Sequence, residues 1–122
     1  ERGEGWEDIT YYTEKKYGLY ADQGEGDQWV YVLSNPSLPK EYLKIGYTKL
    51  KPEERAIQIS SATGVPTPYK VEWAYKCFNG EIVERMTHQK LKAFRVNNRK
   101  EFFHISLEEA KDSIILIGNK FK

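Results

Sequence analysis

The 122 residues hold nineteen Lys and Arg against eighteen Asp and Glu, a net charge of +1, with 39% hydrophobic residues. That length suits one domain plus an appendage and supplies a modest core, and nine Tyr, three Trp and five Phe make much of that core aromatic. The longest apolar stretch, Ile114-Ile115-Leu116-Ile117, is far short of the run of about 20 residues that a membrane span needs, which excludes a membrane-spanning role for it.

The charge is unevenly spread. Residues 1–28 hold eight acids and three bases, whereas residues 29–122 hold sixteen bases and ten acids. The first stretch is punctuated by Gly3 to Gly5 and by Gly24-Glu25-Gly26. Between them Asp8 can cap a short helix ending at Gly18, and Tyr11, Tyr12, Tyr17 and Tyr20 offer rings for packing. Residues 1–28 therefore read as an accessory segment closed by an acidic linker over Asp22–Asp27. Residues 29–122 form the main domain, basic enough to attract phosphate.

Trp29-Val30-Tyr31-Val32-Leu33 is an aromatic and β-branched run and predicts a strand. Ser34-Asn35-Pro36-Ser37-Leu38-Pro39 is turn chemistry, and the alternating Tyr42–Tyr47 predicts the returning strand of a hairpin. Pro52 in a first turn, followed by Glu53 and Glu54 at the positive end of the dipole, predicts a helix through Arg55, Ala56, Ile57 and Ile59 that dissolves over residues 60–64. Tyr69–Phe78 predicts a third strand with Val71, Trp73 and Tyr75 on one face. Asn79 then serves as N-cap for a helix over Glu81–Phe94, with Ile82, Met86, Leu91 and Phe94 in the core. After the basic Arg95–Lys100 segment, Glu101–Ile105 predicts a short strand, and Ser106 with Glu109 forms a capping box for a last helix. The expected fold is a small α/β (α+β) domain of order β-β-α-β-α-β-α, a mainly antiparallel sheet flanked by helices.

Cys77, the one cysteine, has no partner for a disulfide or a CxxC zinc site and reads as a small buried hydrophobe at a strand end. A reducing setting follows, intracellular and either cytoplasmic or nucleoid-associated. No signal-peptide pattern is legible, and Glu1 rather than Met stands first, as expected where upstream sequence has been removed.

Trp29-Val30-Tyr31 followed by Lys44-Ile45-Gly46 on the next strand resembles the two-part signature of the GIY-YIG nucleases. Arg55 in the next helix and Glu84 in the helix after the third strand stand where that family keeps an arginine and a metal-binding glutamate. The fragments KIGYT, PEER, SSATGVP, ERMTHQKL and EFFHISLEEA are similar to one branch, first named from a coliphage open reading frame and including a meiotically up-regulated-gene-like subfamily. The resemblance covers Gln28 to Ile114 and departs from the pattern twice. Trp29 replaces the leading glycine, and Lys44 replaces the second tyrosine.

The resemblance implies metal-dependent endonuclease chemistry on nucleic acid, DNA ahead of RNA. Tyr31 would aid water activation as a base or in a relay, Arg55 would grip phosphate, and Glu84 would bind Mg²⁺ or Mn²⁺. A tyrosine has an ordinary pKa near 10, and Lys44 on the adjacent strand is a candidate for the cation that would lower it. By alternation Tyr42 shares the Lys44 face and Tyr47 does not, which makes Tyr42 the better substitute for the missing tyrosine. His88, four residues beyond Glu84 on one helix face, either shapes the metal site or supplies a proton, or else packs as a helix histidine. His104 reads as structural. Glu101 could orient Arg55 or Lys44, and Arg95, Arg99 and Lys100 could track the phosphate backbone. The competing readings are a non-cleaving nucleic-acid-binding module, favoured by Lys44, and a protein-interaction domain built on the tyrosine-rich segment. The acidic N-terminal stretch could also mask the basic face.

Overall fold

The computed structural model describes residues 24–62, 67–96 and 99–121, without the side chains of residues 62, 99 and 100. The helix expected over Asp8–Gly18, with its tyrosines, lies outside the described residues. Of the acidic linker only residues 24–27 are described, and Gly24 among them is buried.

The hairpin forms as the β-branched run of its first strand and the alternation of its second predict. β1 (Gln28–Ser34) and β2 (Tyr42–Thr48) pair antiparallel, with Tyr31 opposite Gly46 and Leu33 opposite Lys44. The connecting loop is pinned by Asn35, whose amide donates to the Thr67 carbonyl at 2.8 Å and whose Oδ1 accepts from the Ser37 N–H at 2.8 Å. Glu41 closes the loop at φ 70°, and its carbonyl accepts from the Ile105 N–H at 3.0 Å.

β3 (Lys70–Cys77) pairs antiparallel with β1 on its other edge, which makes β1 an interior strand and leaves Val30 and Val32 fully buried. The remaining strands are β4 (Arg95–Val96) and β5 (Arg99–His104), giving an antiparallel sheet of order β3-β1-β2-β5-β4. The three helices are α1 (Pro52–Ala62), α2 (Gly80–Lys90) and α3 (Leu107–Lys120). The predicted order thus holds, with β4 added where a basic loop was expected.

Each sheet face carries a core. On one, Val30, Val32, Ile45, Trp73, Tyr75 and Phe103 pack with Val83, Ile114 and Ile117 of α2 and α3. On the other, Tyr31, Leu33, Val71, Ala74 and Phe102 pack with Ala56 and Ile59 of α1. Apolar surface is therefore removed from water on both sides of the sheet, the main driving force for this arrangement.

Three expectations are corrected. Val71 does not share a face with Trp73 and Tyr75, because the register shifts so that Val32 opposes Trp73 while Leu33 opposes Val71, leaving Glu72 as an extra residue. The Asn79 side chain makes no cap bond but donates to the Phe121 carbonyl at 2.9 Å, and the Gly80 N–H is satisfied by Gln28 Oε1 at 2.9 Å. The helix after it ends at Lys90, with a separate 3₁₀ turn over Lys92–Phe94, and it buries Gly80, Val83 and Thr87. Ile82, Met86 and Phe94 are 38%, 45% and 45% exposed, and of the four expected core positions only Leu91 is buried. The phase of α2 is set by close approach, since a β-carbon on Gly80 would stand 2.9 Å from Gln28 Oε1 and 3.1 Å from Tyr47 Cδ2. Glu84 and His88 each follow a buried residue, so this phase leaves both half-buried along the edge of the helix–sheet interface.

Candidate active site

Tyr31 stands in the middle of β1, an interior strand, and is 2% exposed. Its neighbours across the ladder are Gly46 and Ala74, both small, and the ring occupies the room they leave. A β-carbon on Gly46 would lie 2.6 Å from Tyr31 Cζ and closer still to the hydroxyl oxygen. The glycine of the Lys44-Ile45-Gly46 motif is thus needed for the tyrosine of the first motif to lie across it.

Arg55 lies near the N-terminus of α1 and donates a hydrogen bond to the Tyr31 side chain and another to Gln58 Oε1 at 3.1 Å. Burial pushes the Tyr31 hydroxyl up to about 12; the Arg55 hydrogen bond and charge pull it down, while Glu101 and Glu84 push it further up. The expectation that Lys44 would lower it is not met, because the Lys44 ammonium is taken by Glu101 Oε1 at 2.6 Å. Lys44 also lies 5.3 Å from the centre of the Phe102 ring. Tyr31 therefore rests as a neutral phenol.

The β2–β5 ladder runs only from Tyr42↔His104 to Lys44↔Phe102. The next carbonyl on β2, that of Ile45, accepts instead from His88 Nε2 at 2.7 Å. That bond places the proton of the neutral imidazole on Nε2 and leaves Nδ1 as an acceptor. The ring lies 5.0 Å from that of Phe103, and its burial lowers the His88 pKa, against the opposing effect of the Ile45 bond.

Glu84, one helical turn earlier, is pushed up to about 7, first by burial and then by Glu101, with Lys44 offsetting part of the effect. Tyr31, Arg55, Lys44, Glu84 and His88 are thereby linked by hydrogen bonds, an ion pair and mutual electrostatic influence, with Glu101 common to most of those links. Among the described residues no group of three or more His, Cys, Asp or Glu could hold a metal ion.

The other candidates lie apart from this centre. Tyr42 is at the far end of β2, its ring 5.2 Å from that of His104, beside a cavity of about 580 Å³ that Asn35, Lys40, Lys70 and Glu72 also line. Tyr47 packs against the core on the α2 side, the face opposite Tyr31. His104, expected to be structural, is mostly exposed and lies 3.9 Å from Glu41. Arg95 is exposed, with its guanidinium 5.5 Å from the centre of the Phe103 ring, at the rim of the site. Arg99 and Lys100 contribute backbone to β5, and their side chains lie outside the described residues. Cys77 is buried at the end of β3, as expected.

The family model of the T5orf172 domain matches residues 28–118. The chain belongs to the T5orf172 domain family. The match runs from β1 into α3, so the whole Tyr31–Glu101 constellation lies within the T5orf172 domain. T5orf172 domains are associated with nuclease-type domains and with nucleic-acid interaction. No curated protein and no solved structure matches the chain. Among the described residues, no helix of this T5orf172 domain is long and apolar enough to cross a membrane.

Proposed function

We propose that this T5orf172 domain is a metal-dependent endonuclease of GIY-YIG type that hydrolyses nucleic-acid phosphodiesters, DNA in preference to RNA. The observation that carries the reading is the contact between Tyr31 and Arg55 above Gly46, with Glu84 close enough for its charge to act on Tyr31. A fixed cation, a hydroxyl held by it and a carboxylate nearby meet the needs of phosphodiester attack: charge neutralisation, water alignment and an anchor for a divalent ion.

Arg55 would grip the non-bridging phosphate oxygens with its planar fork. Tyr31, a neutral phenol at rest, would hold the attacking water and pass its proton onward in a relay instead of serving as a resting tyrosinate. Lys44 would add a second cation at the phosphate, on the position where the GIY-YIG pattern has its second tyrosine. His88, fixed by Ile45, would buttress α2 and hold Glu84 in place. Arg95, with Arg99 and Lys100, would follow the backbone on either side.

The donor set fits Mg²⁺ or Mn²⁺ in a specific sense. Glu84 is a half-buried carboxylate whose charge is only partly offset by Lys44, so a cation there would be stabilised. With one protein ligand, such an ion would keep its waters and take substrate oxygens for the rest of its shell. When bound it supplies charge neutralisation and a more acidic water.

A second reading keeps the fold and the nucleic-acid contact but not the cleavage. It is favoured by Lys44 in the tyrosine position and by a Tyr31 hydroxyl pushed up to about 12. Labelled single- and double-stranded DNA and RNA, incubated with Mg²⁺, Mn²⁺ or chelator, separate the two. Cleavage that needs the metal and is lost in Tyr31→Phe supports the nuclease; binding without cleavage under every condition supports the second reading.

A further inference from the structure

Glu101 has no assigned part in the chemistry above, yet its place in the fold is unusual. The β2–β5 ladder stops at Lys44↔Phe102, and the next β2 carbonyl is bonded to His88 instead of to β5. The strands therefore part immediately beyond Lys44, and residue 101 is the next on β5 at that opening. The Lys44 side chain is only 13% exposed, although it ends in an ammonium on a flexible four-carbon stem. Its Nζ is held 2.6 Å from Glu101 Oε1 and lies 5.3 Å from the centre of the Phe102 ring.

We propose that Glu101 is a positioning residue for the hydrolysis proposed above: it fixes the Lys44 ammonium in the opening between β2 and β5, so that Lys44 presents a set cation where the GIY-YIG pattern has its second tyrosine. The assignment rests on the nuclease reading. Glu101 is well placed for it, because its charge reaches Tyr31 on one side of the sheet and Glu84 and His88 on the other. A purely structural clamp accounts for less of what is seen. Glu101 is 46% exposed, so water reaches its side of the ion pair and can take over the carboxylate's contacts when the charge is removed. E101Q should therefore fold, and any kinetic effect should reflect where Lys44 is held.

The test compares wild type, E101Q, E101D, K44A and the K44A/E101Q double variant in single-turnover cleavage with Mg²⁺. The assignment predicts that E101Q lowers kcat about 10- to 100-fold with KM within about threefold. E101D recovers part of the loss, and the double variant is no slower than K44A. In nitrogen-detected NMR the Lys44 ammonium gives a protected resonance in wild type that is lost in E101Q. An E101Q rate within about twofold of an active wild type, losses that multiply in the double variant, or a Lys44 resonance unchanged in E101Q each overturn the assignment alone. A wild type that cleaves no substrate overturns the nuclease reading, and the assignment with it.

Discussion

Tyr31 lies across Gly46 so closely that a single β-carbon at position 46 would stand 2.6 Å from Tyr31 Cζ. The two residues are direct cross-strand partners at the centre of the sheet. The glycine thus belongs to the site as much as to the strand. Gly46→Ala should displace the Tyr31 ring and break its contact with Arg55. The expected stability loss is about 1–3 kcal/mol, as for other overpacked cores. The expected loss in cleavage is larger, on the order of 100-fold, because misplacing a reacting group by an ångström has that effect. Urea unfolding and single-turnover rates on the same preparation check this; a folded variant with near-normal rates would contradict it.

Glu84 predicts a pH-dependent stability. Its carboxyl is pushed from the ordinary 4.5 up to about 7, so the folded chain holds this proton more tightly than the unfolded chain. The proton's stabilising contribution is full below about pH 4.5 and is lost as pH rises through about 7. Glu84→Gln removes this dependence. It should be more stable than wild type at pH 8, by on the order of 1–2 kcal/mol after allowance for solvent, and equal to it near pH 4. Denaturant melts at the two pH values measure the difference, and equal stability at pH 8 would count against it.

In the proposed nuclease the same group would shape the activity profile. Cation binding requires Glu84 without its proton, so kcat/KM should fall below about pH 7. Since proton and cation compete, raising Mg²⁺ should move this acid limb to lower pH. A limb that stays fixed across a hundredfold range of Mg²⁺ would exclude Glu84 as the ligand.

Thr87 offers a prediction unconnected with chemistry. It is fully buried in α2, and its hydroxyl has no hydrogen-bond partner. Thr87→Val keeps the shape and removes the unsatisfied group, so it should stabilise the domain by about 1 kcal/mol. A lowered midpoint in urea would mean that the hydroxyl is satisfied.

The parts of this fold legible in the sequence are those set by local pattern. The aromatic and β-branched run of Trp29–Leu33, the alternation of Tyr42–Tyr47, the Asn-Pro-Ser turn and the Pro-Glu-Glu helix start each act within a few residues, and all appear as expected. The misread features depend on partners far along the chain. Val71, Trp73 and Tyr75 alternate without a break, and only pairing with β1 reveals the extra Glu72. The sequence of α2 contains two apolar stripes, and contact of Gly80 with Gln28 and Tyr47 selects the one through Val83 and Thr87. Asn79 resembles a cap until α3 supplies the Phe121 carbonyl.

The site divides in the same way. Family resemblance points to Tyr31, Arg55 and Glu84, and spacing to Glu84 points to His88. For Glu101 the sequence leaves Arg55 and Lys44 open as partners, because strand alternation sets it on the opposite side from Phe102 and Lys44. Its ion pair depends on the end of the β2–β5 ladder, which no local pattern signals. Tyr42 met the alternation rule and still lies at the far end of its strand, where its neighbour is His104.

The central claim, that the Tyr31–Arg55–Glu84 constellation hydrolyses phosphodiesters, is tested most directly by Glu84→Gln at pH 8 with Mg²⁺. This variant is expected to be the more stable of the two, so lost activity cannot be put down to unfolding. The account predicts metal-dependent cleavage by wild type and a loss of at least about 1,000-fold in Glu84→Gln, about 4 kcal/mol in the barrier. Cleavage by Glu84→Gln within tenfold of wild type would contradict it.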